Sequence, residues 1–137
     1  MFKDKGDKLN IGPVWDLNIG YNGQNRIPSD EWIVNYNNYV PNDPWLVPFW
    51  WSRLLEDPIF KDMLKARWAT LRTNVLATST VENLVRETAN YLVDNEAIKR
   101  NYERWSGLNI SYDSEIDAMV TYLQNRLSWM DDRIEDL

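Results

Sequence analysis

Proline and glycine divide this chain of 137 residues into two unequal parts. All six prolines and four of the five glycines precede residue 59, and only Gly107 lies beyond it. Both residue types interrupt regular structure, because proline lacks a backbone donor and glycine adds conformational freedom. The pattern predicts a turn- and loop-rich region over 1–47 and a helical body over 48–137. At this length the two parts are expected to form a single domain, 1–137.

The helical part carries apolar residues at three- and four-residue steps. Asp57 followed by Pro58 predicts a helix start, because an N-cap carboxylate precedes a proline at the first helical position. A capping-box pattern at 79–82 predicts the start of the next helix. Gly107 predicts the end of a shorter helix, and the last helix is predicted to begin near Asp113. Four or five amphipathic helices with short connections make a bundle.

Two short apolar segments in the N-terminal part flank a Gly-Pro pair. Residues 9–11 and 14–17 stand on either side of Gly12 and Pro13, a pattern typical of a β-hairpin. The sequence from 20 to 44 is polar and aromatic, and so long a loop is usually functional or packs against another segment. The predicted fold is therefore mainly α: an irregular N-terminal segment with a short hairpin, then a four- to five-helix bundle.

Neither cysteine nor histidine occurs in the sequence. Their absence excludes disulfides, thiol nucleophiles, Ser-His-Asp triads and Cys/His zinc sites. Fifteen basic and 21 acidic side chains give a net charge of −6, which disfavours non-specific binding to nucleic acid or to an anionic membrane. No apolar run is long enough to span a membrane, and the first ten residues lack the apolar stretch of a signal peptide. The compartment is therefore left open.

One carboxylate, that of Asp16, lies in an otherwise apolar segment. Alternation along a strand gives it a partly buried setting, where a carboxylate must be paired, hydrogen-bonded or bound to a cation. Asn18 would point to the same side of an extended chain and add a second oxygen ligand for Mg²⁺. The structural alternative is that Asp16 caps a turn. No glycine-rich phosphate-binding loop accompanies the two residues.

Aromatic side chains are unusually frequent, with eight tryptophans and seven tyrosines. Trp105 falls on an apolar helical stripe, as does Trp68, and the expected role of both is packing in the core. Four aromatic residues of the loop region offer a platform for a sugar ring or a peptide: Trp32, Tyr36, Tyr39 and Trp45. The alternative for Trp45 is that it attaches the loop to the helices.

Five segments, in this order along the chain, resemble the C-terminal part of the CotH kinase family. They are GPVWDLNIG at 12–20, PFWWSRLLEDP at 48–58, LKARW at 64–68, IKRNYERW at 98–105 and LQNRLSWMD at 123–131. The family comprises atypical protein kinases that transfer the γ-phosphate of ATP to protein hydroxyls. The resemblance implies that the helical bundle is the C-terminal lobe of an atypical kinase-like fold.

The resemblance also implies roles for individual residues. Asp16 corresponds to the metal-binding aspartate that follows the catalytic loop, and would hold the Mg²⁺ that bridges the ATP phosphates. The family usually has a second aspartate two places further on, where this chain has Asn18. The family's nucleotide-binding lobe and catalytic base have no counterpart in these residues. We therefore expect no catalysis by the chain alone, and Mg²⁺ and ATP to bind tightly only in the full-length parent.

The implied partner is the missing N-terminal lobe or a protein substrate, and such parents are often exported. Two other functions remain open. One is an interaction module that binds a protein or a glycan through the aromatic loops. The other is a structural role in which apolar surface left uncovered mediates self-association. Weak metal binding that depends on Asp16 would favour the kinase lobe, whereas loss of affinity on Trp32→Ala or Trp45→Ala would favour the module.

Overall fold

The computed structural model describes residues 4–8, 10, 26–44, 46–108 and 110–137. Within these ranges the α-helices are α1 Tyr36–Tyr39, α2 Phe49–Leu54, α3 Pro58–Arg72, α4 Thr78–Asp94, α5 Ala97–Arg104 and α6 Tyr112–Arg133. A 3₁₀ turn at Ile33–Asn35 precedes α1 and another at Ile134–Asp136 follows α6. The predicted mainly α fold with a helical bundle is confirmed. The predicted hairpin lies, apart from Asn10, outside the described residues.

The start of α3 follows its sequence pattern. The carboxylate of Asp57 accepts a hydrogen bond of 2.8 Å from the backbone N–H of Ile59. Pro58 occupies the first helical position, where an N–H would have no helical partner. Helix α6 begins at Tyr112, directly after its N-cap residue Ser111. Asp113 therefore lies in the first turn, where a negative charge interacts favourably with the helix dipole.

Two predicted helix boundaries are wrong. Helix α4 begins at Thr78 after Ala77, which has no side-chain oxygen, so residues 79–82 lie inside the helix and form no capping box. Helix α5 ends at Arg104, three residues before Gly107. Gly107 does not adopt the left-handed conformation that glycine takes beyond a helix end.

Helices α4 and α6 run antiparallel and form the centre of the bundle. Three contacts define their direction, pairing Glu82 with Gln124, Arg86 with Asp117, and the Ala89 carbonyl with the Tyr112 hydroxyl. Ala89, Val120 and Leu127 are buried. Helix α5 packs on α4, and the turn after α6 packs on α3 through Ile134, which is 4% exposed.

Much apolar surface of the helices remains open to solvent. Ile59 and Met63 of α3 are 69% and 66% exposed, and Leu84 of α4 is 66% exposed. The expectation that Trp105 packs in the core is wrong, because 57% of it is exposed and its ring lies 4.8 Å from the guanidinium carbon of Arg104. Among the described helices none has the length and apolar character that crossing a bilayer would require.

Candidate functional site

The sequence-predicted site residues fall into two groups. Asp16, Asn18 and Trp45 lie outside the described residues, so their proposed roles stay predictions. Trp32, Tyr36 and Tyr39 lie in the segment 26–44. Across the described ranges, no three Asp or Glu side chains are grouped so that they could hold a metal ion.

Trp32 attaches the segment 26–44 to helix α6. Its ring packs on that of Trp129 with the centroids 4.8 Å apart and the planes tilted by 58°. The guanidinium of Arg126 lies 4.4 Å from the Trp129 centroid and 5.9 Å from that of Trp32, and it donates a hydrogen bond to the Ser29 carbonyl. Loss of water around Arg126 lowers its pKa. The cation–π contacts and the hydrogen bond hold this segment against the helix.

Tyr36 closes the segment on itself. It is 9% exposed, and its hydroxyl donates a hydrogen bond of 2.8 Å to the carboxylate of Asp43. Arg26 donates to the same hydroxyl at 3.3 Å and pairs with Asp43 at 2.9 Å. The hydrogen bond to Tyr36 is the main cause of a raised pKa for Arg26. The hydroxyl of the buried Tyr36 thus both donates and accepts a hydrogen bond, and these bonds connect Arg26, Tyr36 and Asp43.

Tyr39 presents its ring to solvent, with 46% of the residue exposed. Its hydroxyl donates to Glu31 at 2.9 Å, and the same carboxylate accepts from the Asn35 side chain at 2.9 Å and the Trp32 backbone at 2.7 Å. These hydrogen bonds lower the pKa of Glu31, and the bond from Asn35 has the largest effect. The hydrogen bond to Glu31 raises the pKa of Tyr39. Of the three described loop aromatics, Tyr39 is therefore the most exposed.

An apolar groove of about 270 Å³ lies beside this segment. Its walls come from Trp32 and Ile33 in the segment, Trp51 in α2, and Phe60 and Leu64 in α3. Such a groove can take an apolar side chain or the apolar face of a ring. The role of Arg126 in attaching Trp32 is not evident from the sequence, although a spacing of three residues puts Arg126 and Trp129 on one helix face.

The fold and this loop region define a helical domain whose aromatic segment is held against its longest helix. A family model described as CotH kinase protein matches residues 1–130. The chain therefore belongs to the CotH kinase family. No curated protein and no solved structure gave a significant match. The matched range includes Asp16, Asn18 and all four loop aromatics.

Proposed function

We propose that these residues form the helical C-terminal lobe of a CotH-type protein kinase, whose parent transfers the γ-phosphate of ATP to protein hydroxyls. The observation that carries this proposal is the family match over residues 1–130. The mainly helical architecture is compatible with it, since a helical lobe supplies a rigid base for groups on connecting loops.

In this role the carboxylate of Asp16 would bind Mg²⁺, and the amide oxygen of Asn18 would be a second ligand. Both are oxygen donors, which Mg²⁺ prefers, and the chain has no histidine or cysteine that would select another metal. The bound ion would neutralise charge on the ATP phosphates during transfer. An amide in place of a second carboxylate removes one negative charge from the ligand set, so the proposed affinity is weak.

Catalysis by these residues alone is not part of the proposal. Phosphoryl transfer relies on positioning and charge stabilisation by groups distributed over two lobes. The segment 26–44 would contribute by fixing the chain that follows residues 16 and 18, because Arg26 is tied to Tyr36 and Asp43 and the Ser29 carbonyl to Arg126.

Metal binding tests the proposal directly. Titration with Mn²⁺, followed by electron paramagnetic resonance of the free ion, should show weak binding that Asp16→Ala abolishes. The control is Asp132→Ala, which removes an exposed carboxylate from α6 and should leave Mn²⁺ binding unchanged. Equal binding by the wild type and Asp16→Ala would overturn the metal assignment. In a parallel assay with γ-labelled ATP, casein and Mn²⁺, we expect no transfer by the chain alone.

A non-catalytic module that binds a protein or glycan is the second candidate function. It is favoured by the apolar groove beside Trp32 and by the exposed ring of Tyr39. Binding to a glycan array should then fall on Tyr39→Ala and be unaffected by Asp16→Ala. The reverse dependence would favour the kinase lobe.

A further inference from the structure

The net negative charge of the chain is concentrated on one pair of helices. Helix α4 and the first half of α6, residues 78–94 and 112–122, carry six acidic side chains and a single basic one, Arg86. Of the 21 acidic and 15 basic residues in the chain, 15 acidic and 14 basic ones lie elsewhere. This part of the helix pair therefore accounts for −5 of the net charge of −6.

A groove of about 370 Å³ lies between the same two helices. Its lining includes Ala89, which is 6% exposed, the half-buried Ile116, and Val93, which is 49% exposed. Tyr112 also lines the groove, and its hydroxyl donates a hydrogen bond of 3.3 Å to the Ala89 carbonyl. These apolar groups, which make up part of the lining, suit a hydrocarbon chain.

The charged groups that line the groove are two carboxylates, those of Asp113 and Asp117, and one cation, Arg86. Arg86 is shared by two carboxylates, those of Glu82 and Asp117, each at 3.0 Å, and the Glu82 bond is the main cause of its raised pKa. Asn90 and Asp113 also line the groove, and no described residue forms a hydrogen bond or ion pair with either side chain. Arg86 is thus already neutralised, whereas no cation among the described residues pairs with the carboxylate of Asp113.

We propose that the α4–α6 groove binds a basic segment of a partner protein. A lysine or arginine side chain would lay its methylene stem on Val93 and Ile116 and bring its cationic head to Asp113 and to the amide oxygen of Asn90. Long cationic side chains combine an apolar stem with a charged head, which matches the apolar lining and acidic groups of the groove. An anionic segment would be repelled by this surface. The proposal is independent of the kinase role, since it uses neither Asp16 nor the aromatic segment.

Fluorescence anisotropy with labelled octapeptides tests the proposal on the full chain. An alternating Lys-Leu peptide should bind, and an alternating Glu-Leu peptide should not. In about 0.1 M salt, Asp113→Asn should weaken Lys-Leu binding about threefold or more, the size expected when an exposed ion pair is lost. The control Asp132→Asn makes the same charge change near the end of α6, outside the groove, and should have little effect because the Debye length is about 10 Å.

A second variant adds charge instead of removing it. Asn90→Asp should tighten Lys-Leu binding, whereas Asn101→Asp on the exposed surface of α5 should not, and circular dichroism should show unchanged helix content in all four variants. The proposal is overturned if Lys-Leu does not bind, if Asp113→Asn and Asp132→Asn weaken binding equally, or if Asn90→Asp has no effect. Self-association is the remaining alternative. If the sedimentation coefficient of the wild type rises with concentration and that of Asp113→Asn does not, the groove binds a second copy of the chain, and the proposal is again overturned.

Discussion

The carboxylate of Asp131 on α6 accepts two parallel hydrogen bonds from the guanidinium of Arg72 at the end of α3. Nε donates to Oδ1 and Nη2 to Oδ2, each at 2.8 Å, and the indole of Trp68 donates to Oδ1 at 2.9 Å. A bidentate pair fixes orientation as well as distance, because both planar groups must be aligned. This one carboxylate therefore orients α3 on α6 across 59 positions of sequence.

Removing the charge of Asp131 should destabilise the protein. Asp131→Asn cannot accept the paired bonds, and we expect a loss of about 1 kcal/mol in the free energy of unfolding, at the upper end for partly exposed pairs. Urea denaturation followed by far-UV circular dichroism measures it. The neighbouring Asp132→Asn is the matched control and should change the free energy by less than about 0.5 kcal/mol. Equal losses in the two variants would contradict a specific role for the pair.

The same pair predicts how stability depends on pH. The hydrogen bonds from Arg72, with a further one from Trp68, lower the pKa of Asp131 in the folded protein. Its contribution is then fully present above the ordinary aspartate pKa of about 3.9 and is lost as the pH falls through the lower, folded-state pKa. The stability difference between wild type and Asp131→Asn should be constant from pH 7 to about pH 5 and shrink below about pH 4. A difference that persists at low pH would argue against this assignment.

Two isoleucines in different settings test where the core lies. Ile134 is 4% exposed in the turn that packs on α3, whereas Ile59 is 69% exposed on the outer side of α3. Ile134→Ala should cost about 2 to 4 kcal/mol, because it leaves a cavity as well as losing buried area. Ile59→Ala should change the free energy by less than about 0.5 kcal/mol. Similar costs for both substitutions would mean that α3 buries a different face.

Arg126 should control the mobility of the segment 26–44. Arg126→Lys keeps the charge and loses the planar group that lies over Trp32 and Trp129. Hydrogen–deuterium exchange followed by mass spectrometry should become faster in 26–44 and remain unchanged in α4. Arg133→Lys, at an exposed position paired with Asp136 at 3.6 Å, is the control. Faster exchange throughout the chain would indicate a general loss of stability instead.

The helices could be predicted because their signals are local. Asp57 and Pro58 define the start of α3 through contacts that span only a few residues. The repeat of apolar residues along a helix can likewise be recognised without knowing which element packs against it. A stripe indicates which residues share a helix face, but it does not indicate whether another element covers that face. Trp105 is exposed for this reason: α5 is only eight residues long and packs on α4, which leaves the ring against Arg104.

The candidate site was less predictable from sequence because its contacts join distant positions. Arg126 and Ser29 are 97 positions apart, and no spacing rule pairs a loop carbonyl with a guanidinium on the last helix. The frequency of aromatic residues directs attention to the segment 26–44. It does not distinguish Tyr36, whose hydroxyl is bonded to Asp43, from Tyr39, whose ring is open to solvent.

The side chain of Asn37 pairs with both backbone polar groups of Val47. Its Nδ2 donates to the Val47 carbonyl and its Oδ1 accepts from the Val47 N–H, each at 2.8 Å. The amide thus gives Val47 the pair of hydrogen bonds that the backbone of a neighbouring strand would give. Slow deamidation of Asn37 to aspartate would remove the donor and set a negative oxygen against the Val47 carbonyl. Chemical ageing of a single side chain would therefore break the contact between residues 37 and 47.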